Sequence, residues 1–232
     1  MAESSSALIV GAGAGLSAAL ARLFAREGIR VGLAARNIDK LAPLIADLDG
    51  RAYASDASQP AEVARLFDSF VKDLGIPEIV VYNASRRVRG AVADLDPAEV
   101  EKAILTTCFG GFLVAQAATR LMLARGAGTI LLTGASASVK GYANSSSFAM
   151  GKFGLRGLAQ SLARELAPKN IHVAHFVIDG GIRQPGDARA QTRGPDGMLD
   201  PDAIAATYLH VHRQHRSAWT WEVELRPWVE SF

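Results

Sequence analysis

Short apolar runs alternate with longer amphipathic stretches along all 232 residues, which predicts an α/β protein built on one doubly wound parallel sheet with helices on both faces. Two further observations support that class. The apolar runs stop at glycine or polar residues, as strands buried on both faces do. No repeat, linker or low-complexity segment divides the chain, so residues 1–232 read as a single domain.

Each element follows from its own pattern. Ala7-Leu8-Ile9-Val10 is a buried strand that ends at glycines, and Leu16 to Glu27 is a helix with Ala19, Leu20, Leu23 and Phe24 at helical spacing and Gly28 as its stop. Val31–Ala34 is a second strand, followed by a helix around 39–48. Arg51–Ala54 is a third strand, and 60–74 a helix with proline at its start. Ile79–Tyr82 forms a fourth strand, 97–123 a long helix and Thr129–Thr133 a fifth strand. Residues 147–167 form a helix with Leu155, Leu158, Leu162 and Leu166 on one face, closed by Pro168. His172–Ile178 is the sixth strand. Residues 183–200, with Pro185 and Pro195 among several glycines, read as an aperiodic polar loop on the substrate side. A helix from Pro201 and a strand around 221–225 complete the chain.

Composition narrows the function classes. A net charge of +2 is too small to argue for nucleic acid, and Arg86, Arg87 and Arg89 read as a solvated loop. Cys108 is the sole cysteine, which excludes an internal disulfide and is compatible with a reducing compartment. No secretory signal is expected in residues 1–10, and no apolar run is expected to reach the ~20 residues of a membrane span. A cytoplasmic protein with a small-molecule ligand, and neither nucleic acid nor membrane as partner, is the expectation.

The chemistry begins at Gly11-Ala12-Gly13-Ala14-Gly15-Leu16-Ser17, where the first strand turns into the first helix. Glycines there let the backbone approach a pyrophosphate, and the helix N-terminus offers free N–H groups and a partial positive charge. The turn is also compatible with a purely structural role. Sheets of this kind bind ligands beyond the carboxyl ends of their strands, where strand order reverses. Arg36 ends the second strand, with no acid at 33–36. An acid there would accept the ribose 2′-hydroxyl of NAD, whereas a guanidinium suits a 2′-phosphate, so NADP is favoured over NAD.

In the order of these motifs the chain resembles the short-chain dehydrogenase/reductase family over nearly its whole length, which implies a Rossmann-type dinucleotide-binding domain. The family's glycine turn is matched at Gly11 and Gly15, with Val10 in place of its threonine and Ser17 in place of its last glycine. Asp56 resembles the family's adenine-ring aspartate, Asn83-Ala84-Ser85 its Asn-Ala-Gly segment, and Asp179-Gly180 its Pro-Gly. The resemblance therefore implies cofactor contacts from Gly11, Gly13, Gly15, Leu16, Arg36, Asp56, Asn83, Ala84, Lys152 and Gly180. It also implies a homodimer or homotetramer.

The catalytic positions depart from that pattern. Where the family has Tyr-x-x-x-Lys, the chain has Phe148-Ala149-Met150-Gly151-Lys152. Phenylalanine can neither give nor take a proton. The family's serine position falls on Ala135 and its asparagine position on Thr107. Lys152 is retained and is read as holding the nicotinamide ribose. Ser136 and Tyr142 are the candidate replacement groups, Tyr142 being equally a loop-packing residue. Ser145, Ser146 and Ser147 read as a helix N-cap. His210, His212 and His215 spread around a helix and read as solvent-exposed, not as metal ligands. Trp219, Trp221 and Trp228 are assigned to the last strand and a subunit contact. The expected function is an NADP-dependent oxidoreductase for a small carbonyl or alcohol with an altered proton-transfer site; the alternative is a catalytically silent NADP-binding sensor or partner protein.

Overall fold

The computed structural model describes residues 5–184, 186–194 and 196–230. Strands β1 (Ser6–Val10), β2 (Arg30–Ala35), β3 (Arg51–Ala54), β4 (Ile79–Tyr82), β5 (Gly128–Thr133), β6 (Ile171–Ile178) and β7 (Glu222–Leu225) form one sheet in the order β3-β2-β1-β4-β5-β6-β7. Every pairing is parallel. Order reverses between β1 and β4, where Val10 lies beside Tyr82. A ligand crevice is expected beyond that point.

The apolar strand runs are explained by two cores. In β1, Ala7 and Ile9 join a core beneath α1 (Leu16–Arg26), α2 (Ala42–Leu48) and α8 (Pro201–His212). Leu8 and Val10 point the other way, to a core under α3 (Pro60–Leu74), α5 (Gly110–Arg125) and α6 (Ser146–Leu166). With both faces covered, neither set can be polar. Fully burying a side chain such as Phe70 stabilises the fold by about 1.5–3 kcal/mol; a Cβ on Gly32 of β2 would come 2.6 Å from its ring.

Aspartate–proline pairs set two helix starts. The carboxylate of Asp96 accepts from Ala98 N at 3.0 Å where α4 (Pro97–Ile104) begins, and Asp200 accepts from Asp202 N at 2.8 Å at the start of α8. Between α4 and α5 the chain forms a π-helical turn, Leu105–Phe109. Two glycines of α6 allow close contact with it: a Cβ on Gly151 would lie 2.8 Å from Thr107 Cβ, and one on Gly154 would lie 2.6 Å from Cys108 Sγ. Such turns concentrate at functional sites.

Two expectations need correction here. The 183–200 segment is not wholly aperiodic: it holds a short helix, α7 (Arg189–Arg193), and Ile182 bridges Leu199; Pro185 and Pro195 lie outside the described residues. One helix, Pro97–Arg125, is long and apolar enough to cross a membrane by length and composition, contrary to the sequence expectation. Ala103, Val114, Ala115, Ala118 and Met122 of this helix are buried inside the fold, whereas Phe109, Phe112 and Leu123 are exposed.

Candidate functional site

The turn after β1 is built around Gly11. Its φ of +86° is open to glycine, and an added Cβ would overlap the backbone of Ala84. Gly11 N and Ala12 N both donate to Ala34 O at 2.9 Å, tying the turn to β2. Ser17 is 1% exposed; its hydroxyl donates to Gly11 O at 3.2 Å and accepts from Asn83 Nδ2 at 2.8 Å. Gly13 is different. A Cβ there would meet nothing within 4 Å, so no internal contact demands glycine. The N-cap residue Gly15 has no side-chain cap, and the N–H groups of Leu16 and Ser17 have no acceptor among the described residues. Unused donors and an open approach are what an anion at a helix N-terminus requires.

Beside this turn lies a cleft of about 360 Å³ lined by Gly11, Arg36, Lys40, Asp56, Asn83 and Ala84 among others. Arg36 and Lys40 are exposed on its rim, and Arg36 has no carboxylate partner among the described residues. Asp56 Oδ1 accepts from Ser58 N and Ser58 Oγ at 2.9 and 2.7 Å, which fixes the carboxylate. Gly13, Gly15, Leu16, Lys152 and Gly180 do not line this cleft. The side chain of Leu16 is buried in the core, and Gly180 is required by packing, since a Cβ there would come 2.8 Å from Pro227 Cδ.

Toward β5, Lys152 is 3% exposed and its Nζ donates to Thr133 O at 2.6 Å. Burial pulls its pKa down to about 8, so the amine ionises near neutrality. The Nζ lies 5.8 Å from the centre of the Phe148 ring. Arg87 lies over the same ring with Cζ 4.9 Å from its centre, and its Nη2 donates to Ser145 Oγ at 2.9 Å. Ser136, in a one-turn helix after β5, makes no side-chain hydrogen bond among the described residues. Tyr142 is 44% exposed and makes none either. Nearby on β6, His175 is buried with Nδ1 3.1 Å from Glu222, a carboxylate also gripped by Arg156 at 2.6 and 2.8 Å. Burial outweighs Glu222 and pulls His175 to about 4, so it stays neutral at pH 7.

Comparison with known proteins decides what this arrangement belongs to. The model of the family described as short chain dehydrogenase matches residues 5–189. The chain belongs to the short-chain dehydrogenase family. Carbonyl reductase family member 4 of Danio rerio is 32% identical over 216 residues, covering 88% of this chain and 90% of its own. The crystal structure of a short-chain dehydrogenase from Rhodopseudomonas palustris has a TM-score of 0.84 at 36% identity, covering 97% of this chain and 99% of its own. A metagenomic short-chain oxidoreductase solved in complex with NADP has a TM-score of 0.83 at 27% identity, covering 96% and 97%.

Within this short-chain dehydrogenase several side chains take roles other than those expected. The serines before α6 do not act as an N-cap: Ser145 makes no capping bond and instead accepts from Arg87. Ser147, fully buried, donates to Val88 O at 2.8 Å and accepts from Val88 N at 3.3 Å. Thr107 clamps Arg86 in the same way, accepting from its N at 3.1 Å and donating to its O at 3.3 Å. The arginine loop is thus only partly solvated, with Arg86 ion-paired to Glu99 and Arg87 on Phe148. His212 is not solvent-exposed; its Nδ1 lies 2.9 Å from Thr129 Oγ1 and its Nε2 3.6 Å from Glu78. His215 falls beyond the end of α8. Trp219 stacks on His172 with centroids 4.7 Å apart, and Trp228 is 81% exposed. No local signal marks Ser147 and Arg87 as site-forming residues, because their partners are remote in sequence, and Ser17 likewise meets Asn83 66 residues away.

Proposed function

We propose that the chain is an NADP-dependent oxidoreductase that interconverts a small carbonyl compound and its alcohol. The observation that carries the reading is Arg36: exposed at the end of β2, on the rim of the cleft, with no carboxylate to neutralise it among the described residues. A guanidinium there can pair with a 2′-phosphate through two hydrogen bonds, with Lys40 adding charge. The NADP complex of the metagenomic relative and the carbonyl reductase name of the Danio relative support cofactor and substrate class.

The residues present fit the cofactor. The free N–H groups at the start of α1 and the open approach at Gly13 suit the pyrophosphate, Asp56 the adenine, and Lys152 the nicotinamide ribose. When bound, the reduced nicotinamide would supply a hydride to the carbonyl carbon. Phe148 has no proton to give to the oxygen. The candidates for that proton are Ser136, Tyr142 and Lys152, the last of which ionises near neutrality and adjoins Phe148 but is taken here first as the ribose-holding group. The exposed side chains Phe109, Phe112, Met150 and Phe153 favour a homodimer or homotetramer, and the single cysteine suits the cytoplasm.

The test is calorimetric titration with NADPH and NADH, wild type against Arg36→Ala, followed by NADPH oxidation on a panel of carbonyl compounds. NADPH should bind more tightly than NADH, and the variant should lose at least tenfold for NADPH alone. Equal wild-type affinities would reject the assignment. A second reading, a silent NADP-binding protein, is favoured by Phe148 and Ala135; tight NADPH binding with no turnover of any carbonyl would select it.

A further inference from the structure

We propose that Arg87 is an anion-binding residue beside Phe148, and that the carbonyl substrate carries a carboxylate held by its guanidinium. The inference rests on the oxidoreductase reading above and names the substrate class of that site.

Arg87 is held between two clamps. Thr107 takes both backbone hydrogen-bonding groups of Arg86, at 3.1 and 3.3 Å, and Ser147 takes both of Val88, at 2.8 and 3.3 Å. Thr107 and Ser147 are fully buried, so the backbone on either side of Arg87 is fixed by core residues. The side chain is oriented as well. Ser145, itself 4% exposed, accepts one Nη2 bond at 2.9 Å, and the Phe148 ring supports the guanidinium with Cζ 4.9 Å from its centre. A mobile surface arginine would need none of these four residues.

Its charge is left uncompensated. Arg86 next to it is neutralised by Glu99, but among the described residues neither Arg87 nor Arg89 has a carboxylate partner. Partial burial and the like charge of Arg89 hold the Arg87 guanidinium below its usual value, yet it remains charged at any working pH. Two cations without counterions, one of them clamped against the ring that borders Lys152, form a receptor for an anion. The planar fork keeps donors free after Ser145 has taken one, and two parallel N–H groups match a carboxylate. Arg36 and Lys40 supply the phosphate-binding charge at the cleft beside the glycine turn, a cleft that Arg87 does not line, which leaves Arg87 to the substrate.

The reaction served is reduction of an oxo acid. When bound, NADPH would supply the hydride for the new C–H bond; the C=O π pair would move to oxygen, which would take one proton delivered from solvent through one of the candidate donors Lys152, Ser136 and Tyr142. NADPH becomes NADP⁺, and the carboxylate keeps its charge throughout.

The experiment compares pyruvate, acetoacetate and levulinate with their methyl esters as substrates of NADPH-loaded protein, in wild type, Arg87→Ala and Arg87→Lys. At least one acid should exceed its ester in kcat/KM by tenfold or more, the lower end for a charge-assisted hydrogen bond. Arg87→Ala should lower that acid-to-ester ratio at least tenfold, mainly through KM, and Arg87→Lys should recover only part, because an ammonium lacks the fork. Esters equal to or better than acids in every pair, or a variant that penalises acid and ester alike, overturns the proposal. If nothing is turned over, calorimetry of the NADP⁺-loaded protein with the three acids decides: binding weakened by Arg87→Ala supports it, and no binding, or binding unchanged by the variant, overturns it. Binding of inorganic phosphate and none of the acids overturns the carboxylate assignment. A protein that does not bind NADPH refutes the oxidoreductase reading instead, and the same acid titrations on cofactor-free protein then decide the anion site by the same criteria.

Discussion

Replacing Lys152 by methionine removes an ammonium group that is buried at a cost to the fold. Its pKa is pulled from the ordinary 10.5 to about 8 by burial alone. The sign follows from proton counting. Between pH 8 and 10.5 the unfolded chain holds a proton that the folded chain has released, so stability rises with pH across that window. Below pH 8 both states are protonated and the fold bears the full cost of the buried charge. At 1.36 kcal/mol per pKa unit, the interval from 8 to 10.5 is worth about 3 kcal/mol. Lys152→Met lacks this dependence. It also leaves Thr133 O without its 2.6 Å donor, a loss present at every pH because a neutral amine still donates, though more weakly than an ammonium. The stability difference between variant and wild type should therefore move by about 3 kcal/mol from pH 7 to pH 10.5, favouring the variant at the lower pH. Urea denaturation of cofactor-free protein at several pH values measures it. A difference that stays flat across that range would refute the reasoning.

Two further outcomes are expected. Gly13→Asp should fold with wild-type thermal stability, since a Cβ there meets nothing within 4 Å, but should lose at least tenfold in NADPH affinity by calorimetry; unchanged affinity would make the turn merely structural. Phe148→Tyr should raise carbonyl reduction toward the roughly 10²–10⁴-fold that a positioned acid contributes, with a further rise on adding Ala135→Ser. The two nearby cations would lower the new phenol's pKa from about 10. A wild type that reduces a substrate well and loses it in both variants would show that a different acid operates, and Tyr142→Phe would be the next measurement.

Much of the architecture was legible from local signals. Strand runs such as Ala7–Val10 have to be apolar throughout because helices cover both faces of the sheet, and the Pro97 and Pro201 helix starts are written in the residues beside them. The Gly11–Gly15 turn, Arg36 and Asp56 could be placed because each ends or follows a strand whose position in the sheet is fixed by chain order. The π-helical turn at Leu105–Phe109 had no such signal, since it lies against Gly151 and Gly154 of another helix.

The sequence by itself determined the parallel sheet, the glycine-rich turn after β1 and the presence of a phenylalanine at 148, because periodicity, glycine spacing and residue identity are local properties. Only the tertiary structure decided what surrounds that phenylalanine. Arg87 meets Ser145 across 58 residues of chain, and Val88 meets Ser147 across 59. Such contacts depend on how the loop after β4 and the start of α6 are brought together, and a hydroxyl's partner is set by that approach and not by its neighbours in sequence.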